Sequence, residues 1–250
     1  MNRRRFLING SYGLAAVATG CRESTGPGSA ESSHLMSRPG APSKTPLPGR
    51  NPLELATGRD GFLFVPPDYS PSRPASLLVL LHGAGQNSSL WSGSQLTSLY
   101  GPRNIVVLAP DSRSVSWDIA YGGFGADVEF IDRALAYTFD RCVIDPASIA
   151  LGGFSDGASY ALSLGASNGD LFSHLIAFSP GFFGPGTVRG KPKIFVSHGT
   201  ADPILPFSWT STQLVPSLTT QGYMVKFVQF AGGHTLPLAV ATEATDWFKA

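Results

Sequence analysis

Three residues in the second half of the chain, Ser155, Asp202 and His234, have side chains that together activate a hydroxyl group. A serine hydroxyl attacks poorly until a base takes its proton, and that base is often a histidine oriented by a carboxylate. We therefore predict Ser155 as the nucleophile, Asp202 as the acid and His234 as the base. The intervals of 47 and 32 residues between them each leave room for one crossover connection and one strand.

The predicted nucleophile lies in the pentapeptide Gly153-Phe154-Ser155-Asp156-Gly157, directly after a short apolar run. A G-x-S-x-G sequence between a strand and a helix is typical of a sharp, strained turn that exposes the serine hydroxyl above a sheet. Glycines suit the flanking positions because side chains there would clash with the crowded backbone. The alternative is a glycine turn in which the serine is incidental.

Asp202 and His234 each come shortly after an apolar run that predicts a strand. In open α/β sheets, loops past the carboxyl ends of strands share one rim, so both side chains should approach Ser155. We expect Gly232 and Gly233 to let the chain bend and bring His234 over the sheet edge. The competing acids, Asp170 and Asp246, do not follow a strand; these two residues are weaker candidates.

Backbone amides beside the nucleophile could stabilise negative charge on a substrate carbonyl oxygen during acyl transfer. One such donor is the residue after the nucleophile, Asp156. The other should come from the glycine-rich loop 82–87, which follows the apolar run 77–81. Ala84 is the first choice of donor and Gly83 the second. We expect His82 to hold this loop through hydrogen bonds.

Short apolar runs alternate with helix-like segments along the chain, which favours an α/β fold with a mostly parallel sheet covered on both faces. We find no internal repeat. The predicted strands are 61–65, 77–81, 105–109, 148–152, 175–178, 194–196 and 224–230, and the predicted helices are 128–139, 158–164, 213–221 and 238–249.

The segments 80–85, 153–157, 198–203 and 233–234 together resemble the phospholipase/carboxylesterase branch of the α/β-hydrolases. The polyhydroxybutyrate-depolymerase-like and feruloyl-esterase-like esterases are similar. The resemblance covers residues 56–250 and implies the α/β-hydrolase fold, with seven or eight strands, helices on both faces and no large lid. It also implies hydrolysis of carboxylic esters through an acyl-enzyme intermediate, without a cofactor or a metal. It does not choose the ester.

Phe154 and Trp117 are the candidate substrate-binding residues. Trp117 follows the strand 105–109 at a place where such esterases often have an aromatic substrate wall, although core packing is an equal alternative for it. The segment 181–192 is too short for a helical lid. We therefore expect an open, shallow site suited to small soluble esters.

Two other functions stay open at this point. The same three residues serve peptidases and amidases, and a fold alone does not choose between ester and amide bonds. The chain could also be a surface lipoprotein that uses the fold only to bind a ligand.

The first 21 residues have the features of an export signal: Arg3, Arg4 and Arg5, a short apolar stretch, and small residues before Cys21. The paired arginines resemble a twin-arginine signal, with an ordinary secretory signal as the alternative. Residues 17–21 resemble a lipoprotein cleavage box, which predicts lipidation of Cys21 and a membrane anchor. Simple cleavage nearby, or an inert cysteine, is the alternative. We predict a periplasmic or extracellular protein.

Residues 22–55 are rich in Ser, Gly and Pro, and we expect a flexible tether there, before a single domain at 56–250. A hydrophobic content of 42% over 250 residues predicts a globular core. The net charge of +1 and the lack of a basic stripe argue against a nucleic-acid partner. Cys142 is the one cysteine of the predicted domain; we expect it to be a buried apolar residue, with no disulfide framework. The sequence does not indicate an oligomeric state.

Overall fold

The computed structural model describes residues 33–93 and 96–250. The predicted export signal, the predicted lipidation site and residues 22–32 of the predicted tether lie outside these ranges. One eight-stranded sheet forms the centre of the described chain. Its strands are β1 (Gly49–Pro52), β2 (Gly61–Val65), β3 (Ala75–Leu81), β4 (Ile105–Pro110), β5 (Ile144–Phe154), β6 (His174–Phe178), β7 (Lys193–Gly199) and β8 (Val225–Phe230).

The strands lie in the order β1-β2-β4-β3-β5-β6-β7-β8. β1 pairs antiparallel with β2, and β2 pairs antiparallel with β4. Every pair from β4 to β8 is parallel, with registers such as Leu80 opposite Gly152 and Val196 opposite Phe227. The structure confirms the mostly parallel sheet of seven or eight strands. Because the parallel strands end at the same edge, the loops after β3, β5, β7 and β8 share one rim.

Helices cover both faces of the sheet, as the sequence predicted. Leu77 and Val79 of β3 pack in one apolar cluster with α1 and α2, whereas Leu78 and Leu80 pack in a second cluster with α5. A strand buried on both faces needs apolar residues at every position, which explains the uninterrupted run of β3. The helices are α1 (Ala126–Phe139), α2 (Asp156–Ser167), α3 (Phe207–Trp209), α4 (Val215–Thr220) and α5 (Leu238–Lys249).

Most predicted elements agree with the structure to within a few residues. The apolar stripe Val128, Ile131 and Leu135 is buried against the sheet in α1. The helix predicted at 213–221 corresponds to the short α4 and the end of a wide π-helical turn at Thr210–Leu214, which continues directly into α4. Pro216 does not interrupt α4 because it lies in the first turn, where the backbone N–H has no helical acceptor.

The predicted flexible tether is wrong for residues 33–55, which pack on the domain. β1 adds a strand to the edge of β2, and the side chains of Leu35 and Leu53 are fully buried in the core. The side chain of Asn168, just after α2, accepts the Leu35 amide at 2.8 Å and donates to the Ser33 carbonyl at 2.7 Å. The Ser-, Gly- and Pro-rich composition did not predict this packing. Strand pairing depends on backbone groups, and the segment places only two buried leucines in the core.

No helix or strand interrupts residues 181–192, in agreement with the predicted lack of a large lid. Three serines spaced one helical turn apart on α2 hold this segment along the helix. Their hydroxyl oxygens accept the amides of residues 181, 184 and 186 at 2.8–3.0 Å, from Ser159, Ser163 and Ser167 respectively. In the described part of the chain, no helix has both the length and the apolar character required to span a bilayer.

Candidate active site

Ser155 occupies a strained turn between β5 and α2, with φ 58° and ψ −122°. L-amino acids rarely adopt a positive φ, and the amide of Ser155 is held by the carbonyl of Phe178 on the neighbouring strand at 2.9 Å. A Cβ atom at Gly157 would collide with the carbonyl oxygens of Leu81 and His82. The glycine is therefore required because the start of α2 lies directly against the end of β3.

The structure brings the three predicted catalytic residues together in hydrogen-bonded order. His234 Nε2 lies 2.8 Å from Ser155 Oγ, and His234 Nδ1 lies 2.6 Å from Asp202 Oδ2. The ring of Phe154 packs at a tilt on the ring of His234, with 4.8 Å between centroids. A histidine with its Nδ1 proton directed at a carboxylate has an Nε2 lone pair free to accept a proton from the serine.

The carboxylate of Asp202 is fully enclosed and receives hydrogen bonds at both oxygens. Oδ1 accepts the amides of Ile204 at 2.8 Å and Leu205 at 2.9 Å, and Oδ2 faces His234. Burial by itself raises the pKa of Asp202, but hydrogen bonds from His234, Leu205 and Ile204 outweigh it and leave the pKa below its usual value. The group is therefore ionised at neutral pH.

His198, near the end of β7 and four residues before Asp202, is a fourth member of this hydrogen-bonded group. Its Nε2 lies 3.0 Å from the Leu205 carbonyl and 3.2 Å from Asp202 Oδ2, and its Nδ1 faces the Thr210 hydroxyl at 2.8 Å. Burial lowers the pKa of His198, so the ring stays neutral. These contacts hold the loop that carries Asp202.

The turn that carries His234 differs from the expected one. Neither Gly232 nor Gly233 has a positive φ, so conformational freedom is not what the double glycine supplies. The close approach is instead at Gly199, at the end of β7, where a Cβ atom would collide with the carbonyl oxygens of Gly232 and Gly233. The amide of Ala201 holds the same turn through the Gly232 carbonyl at 2.9 Å.

Several backbone polar groups in the loop after β3 are engaged. The Gly83 carbonyl accepts from His82 Nδ1 at 2.7 Å and from the Gln86 amide at 3.2 Å. The Gly83 amide donates to Gln86 Oε1 at 3.0 Å, and the Gly85 amide donates to the Val115 carbonyl at 2.8 Å. Among residues 33–93 and 96–250, the amide of Ala84 has no acceptor.

Asp156 is the first residue of α2, so its amide has no acceptor within the helix. Its carboxylate accepts the Ser116 hydroxyl at 2.6 Å, which turns the side chain toward the loop after β4. The amides of Ala84 and Asp156 are therefore unoccupied donors near the nucleophile, and they are the two that the sequence predicted. Of the predicted pair Ala84 and Gly83, the contacts favour Ala84.

The predicted substrate-binding role of Trp117 is wrong. Its side chain is only 1% exposed, its Nε1 donates to the His82 carbonyl at 2.8 Å, and its ring stacks on Tyr160. Core packing, the alternative for this residue, describes it correctly. Phe154 is also largely buried and contacts His234, and its contact with substrate stays a prediction.

Two carboxylates, the buried Asp127 and the partly buried Asp118, brace the loop between β4 and α1, and sequence reasoning missed both. Asp127 accepts the amides of Arg113 at 2.5 Å and Asp118 at 2.7 Å, and Asp118 in turn accepts the Tyr160 hydroxyl at 2.9 Å. Burial raises the pKa of Asp127 to about 6, although the Arg113 amide opposes this shift. Neither aspartate lies in a recognisable motif, so no sequence signal marks them.

Away from the relay, the described chain has a surface depression but no metal site. A surface depression of about 590 Å³ lies between the N-terminal segment and α1, beside Lys44, Leu53 and Arg133, but it contains none of the predicted catalytic residues. Within residues 33–93 and 96–250, no group of three or more His, Cys, Asp or Glu residues is arranged to hold a metal ion.

Comparison with curated proteins finds feruloyl esterases. Feruloyl esterase C of Emericella nidulans is 28% identical to this chain over 163 residues, which are 62% of this chain and 59% of the relative. The chain thus spans about three fifths of the length of the curated relatives it matches.

Solved structures share the fold. A CE1 ferulic acid esterase from the anaerobic fungus Anaeromyces mucronatus superposes with a TM-score of 0.60 at 17% identity, over 85% of this chain and 96% of that chain. Esterase PE8 superposes with a TM-score of 0.58 at 22% identity, over 77% and 99%. At these identities the likeness shows the fold alone.

The sequence model of the alpha/beta hydrolase family matches residues 78–248, more than half of the chain. The chain therefore belongs to the alpha/beta hydrolase family.

Proposed function

We propose that this protein is a serine hydrolase that cleaves carboxylic esters through an acyl-enzyme intermediate. The observation that carries the proposal is the continuous relay in which Ser155 Oγ lies 2.8 Å from His234 Nε2 and His234 Nδ1 lies 2.6 Å from Asp202. The names of the curated relatives, which are feruloyl esterases, support ester cleavage.

The proposed reaction begins when Ser155 Oγ attacks the ester carbonyl carbon and His234 Nε2 takes the hydroxyl proton. The amides of Ala84 and Asp156 donate to the resulting oxyanion, because both lie near Ser155 and neither has an acceptor within the protein. His234 then gives the proton to the leaving alcohol, and the acyl group stays on Ser155. The same base activates a water molecule that hydrolyses the acyl-enzyme.

The substrate we propose is a small ester with an apolar or aryl acyl group. Exposed apolar side chains lie on two loops that contact the candidate site: Val115 is 62% exposed and Ile204 66% exposed. The Val115 carbonyl binds the Gly85 amide and the Ile204 amide binds Asp202, so both side chains are close to the machinery. A depression of about 290 Å³ lies along the same loop beside Gln86, which binds the Gly83 amide, but it contains none of the relay residues.

A fluorophosphonate probe and a substrate panel on the purified protein test this function. We expect the probe to label wild type and not Ser155→Ala, and we expect hydrolysis of acetate, butyrate and hydroxycinnamate esters to exceed that of the matching anilides. Faster cleavage of anilides would support a peptidase or amidase instead. A wild type that is neither labelled nor active would support the ligand-binding alternative.

We also propose that the chain is exported and held at a membrane surface through a lipidated Cys21. The support is the order of arginines, apolar stretch and small residues that ends at this cysteine. An acylated N-terminus gains about 0.8 kcal/mol for each buried methylene group.

A further inference from the structure

Arg59 lies in the connection between β1 and β2 and reaches two loops beside the candidate active site. Its Nε donates to the Ser112 carbonyl at 2.6 Å, and its Nη2 donates to the Gln86 carbonyl at 2.7 Å. The same Nη2 lies 3.1 Å from both His82 Nε2 and Ser112 Oγ. One planar guanidinium therefore joins the β1–β2 connection to the loop after β3 and to the loop after β4.

These contacts determine which nitrogen of His82 carries the proton. Nε2 faces two groups that can only donate, the Ser112 amide at 3.0 Å and Arg59 Nη2 at 3.1 Å, so it must present a lone pair. The proton is then on Nδ1, which donates to the Gly83 carbonyl at 2.7 Å. Burial, and secondarily the charge of Arg59, lowers the pKa of His82 although the Gly83 hydrogen bond opposes this, and so favours the neutral ring.

The Gly83 carbonyl and the Ala84 amide belong to the same peptide group. A trans peptide is planar, with C=O and N–H pointing in opposite directions. A hydrogen bond that holds the Gly83 oxygen on one side thus aims the Ala84 N–H toward the other side. A Cβ atom built on Gly83 would lie 3.2 Å from Ser155 Cβ, so this peptide group is close to the nucleophile.

We propose that Arg59 is a positioning residue that, together with the Ser112 amide, fixes the Nδ1–H tautomer of His82 and so aims the Ala84 amide at the oxyanion. The proposal rests on the proposed esterase function, because the Ala84 amide is an oxyanion donor only in that reaction. Arg59 itself lies outside the relay of Ser155, His234 and Asp202, and it acts through His82 and the Gly83 carbonyl.

The test compares Arg59→Ala and Arg59→Lys with wild type by ¹⁵N NMR of the histidine side chains and by steady-state kinetics. We expect wild-type His82 to be the neutral Nδ1–H form, and we expect Arg59→Ala to mix in the Nε2–H or protonated form. We expect kcat to fall by about 10- to 100-fold, less than the loss of an entire oxyanion donor, with KM changed less than about 3-fold. Millimolar guanidinium should restore part of the kcat of Arg59→Ala.

Arg133→Ala is the matched control, because Arg133 binds the Leu55 carbonyl in the same connection and contacts neither His82 nor Gln86. We expect it to keep the wild-type tautomer and kcat. Arg59→Lys keeps the charge without the planar fork, and we expect a folded protein with an intermediate kcat.

An unchanged His82 tautomer in a folded Arg59 variant would overturn the proposal, as would a loss in Arg59→Ala that matches Arg133→Ala and that guanidinium does not restore. If wild type hydrolyses no ester, the esterase function fails, but the tautomer comparison still decides whether Arg59 positions His82. If Arg59→Ala does not fold, the tautomer and kcat of Arg59→Lys decide.

Discussion

The acid of the candidate relay has little freedom to rotate or change partners. Two backbone amides, from Ile204 and Leu205, bind Asp202 Oδ1, and two histidines face Oδ2. Oδ1 is thus bound by backbone amides and Oδ2 by histidine rings. This difference determines how an asparagine side chain would be oriented at position 202. An asparagine at this position must keep its carbonyl oxygen toward the two amides, which leaves its NH₂ group facing His234 Nδ1.

Asp202→Asn should therefore inactivate the enzyme without unfolding it. An NH₂ group facing His234 Nδ1 favours a lone pair there and moves the ring proton to Nε2, which then cannot accept the Ser155 proton. We expect kcat to fall by roughly 10⁴-fold, as in other serine triads with this substitution. Steady-state kinetics and thermal unfolding measure the two effects separately.

Asp170→Asn is the matched control, because Asp170 forms an exposed ion pair with Arg38 and faces no catalytic candidate. We expect near-wild-type kcat for this variant. Near-full activity in Asp202→Asn would show that another carboxylate orients His234, and the acid would have to be reassigned.

The candidate site was predictable where its residues lie in motifs and unpredictable where they do not. The order serine, acid, histidine and the glycines around Ser155 identified the relay from sequence, because this chemistry constrains residue types at fixed places. Arg59 lies 23 positions before His82, in a connection without a motif, and only the fold brings the two together. Trp117 lies after a strand, where a substrate-binding residue was expected. It is buried because its ring packs against Tyr160 of α2, a contact that the sequence does not reveal.

At the scale of elements, apolar patterning predicted the strands from β2 to β7 because they are largely buried, and it predicted β8 from the apolar residues of a half-buried edge strand. β1 escaped detection because it is a polar edge strand held by backbone pairing with β2. The buried Leu35 and Leu53 near it are single apolar residues in a segment whose composition is typical of linkers. Composition averages over a segment, whereas packing depends on particular side chains.

The packed N-terminal segment predicts different outcomes for two truncations. A chain that begins at Ser33 should keep wild-type stability and activity, whereas a chain that begins at Leu53 loses β1, the buried Leu35 and the Asn168 contacts. We expect the shorter chain to unfold at a temperature lower by several degrees and to aggregate, because the edge of β2 is exposed. Thermal unfolding with light scattering measures both effects.

Two point variants test the same segment without deleting a strand. Leu35→Ala should destabilise the protein by about 2–5 kcal/mol, in the range of other buried leucines. Leu47→Ala is the matched control, because Leu47 is 70% exposed, and its unfolding free energy should stay within about 0.5 kcal/mol of wild type. Equal stabilities for the two variants would show that the segment is not docked in solution.

At the scale of the whole molecule, the candidate nucleophile lies at one end of α2 and the N-terminal segment is bound at the other. Ser155 precedes the helix and Asn168 follows it, and twelve helical residues place them about 18 Å apart. Ser33 is bound at the Asn168 end, so the described chain begins far from the nucleophile. The twelve residues from Cys21 to Ser33 reach at most about 40 Å. An anchor at Cys21 would therefore not force the rim with Ser155 against the membrane.

Cys21→Ser should separate attachment from catalysis. In a bacterium that processes lipoproteins, we expect wild type in the membrane fraction and Cys21→Ser in the soluble exported fraction, because the variant lacks the thiol that carries the acyl chains. The kcat/KM for a soluble ester should be the same for both proteins, since Cys21 is not part of the relay and Ser33 is bound at the Asn168 end of α2, away from Ser155. Cys142→Ala is the control: Cys142 is buried in the domain, so its replacement should leave the distribution unchanged. Equal partitioning of wild type and Cys21→Ser would contradict the anchor.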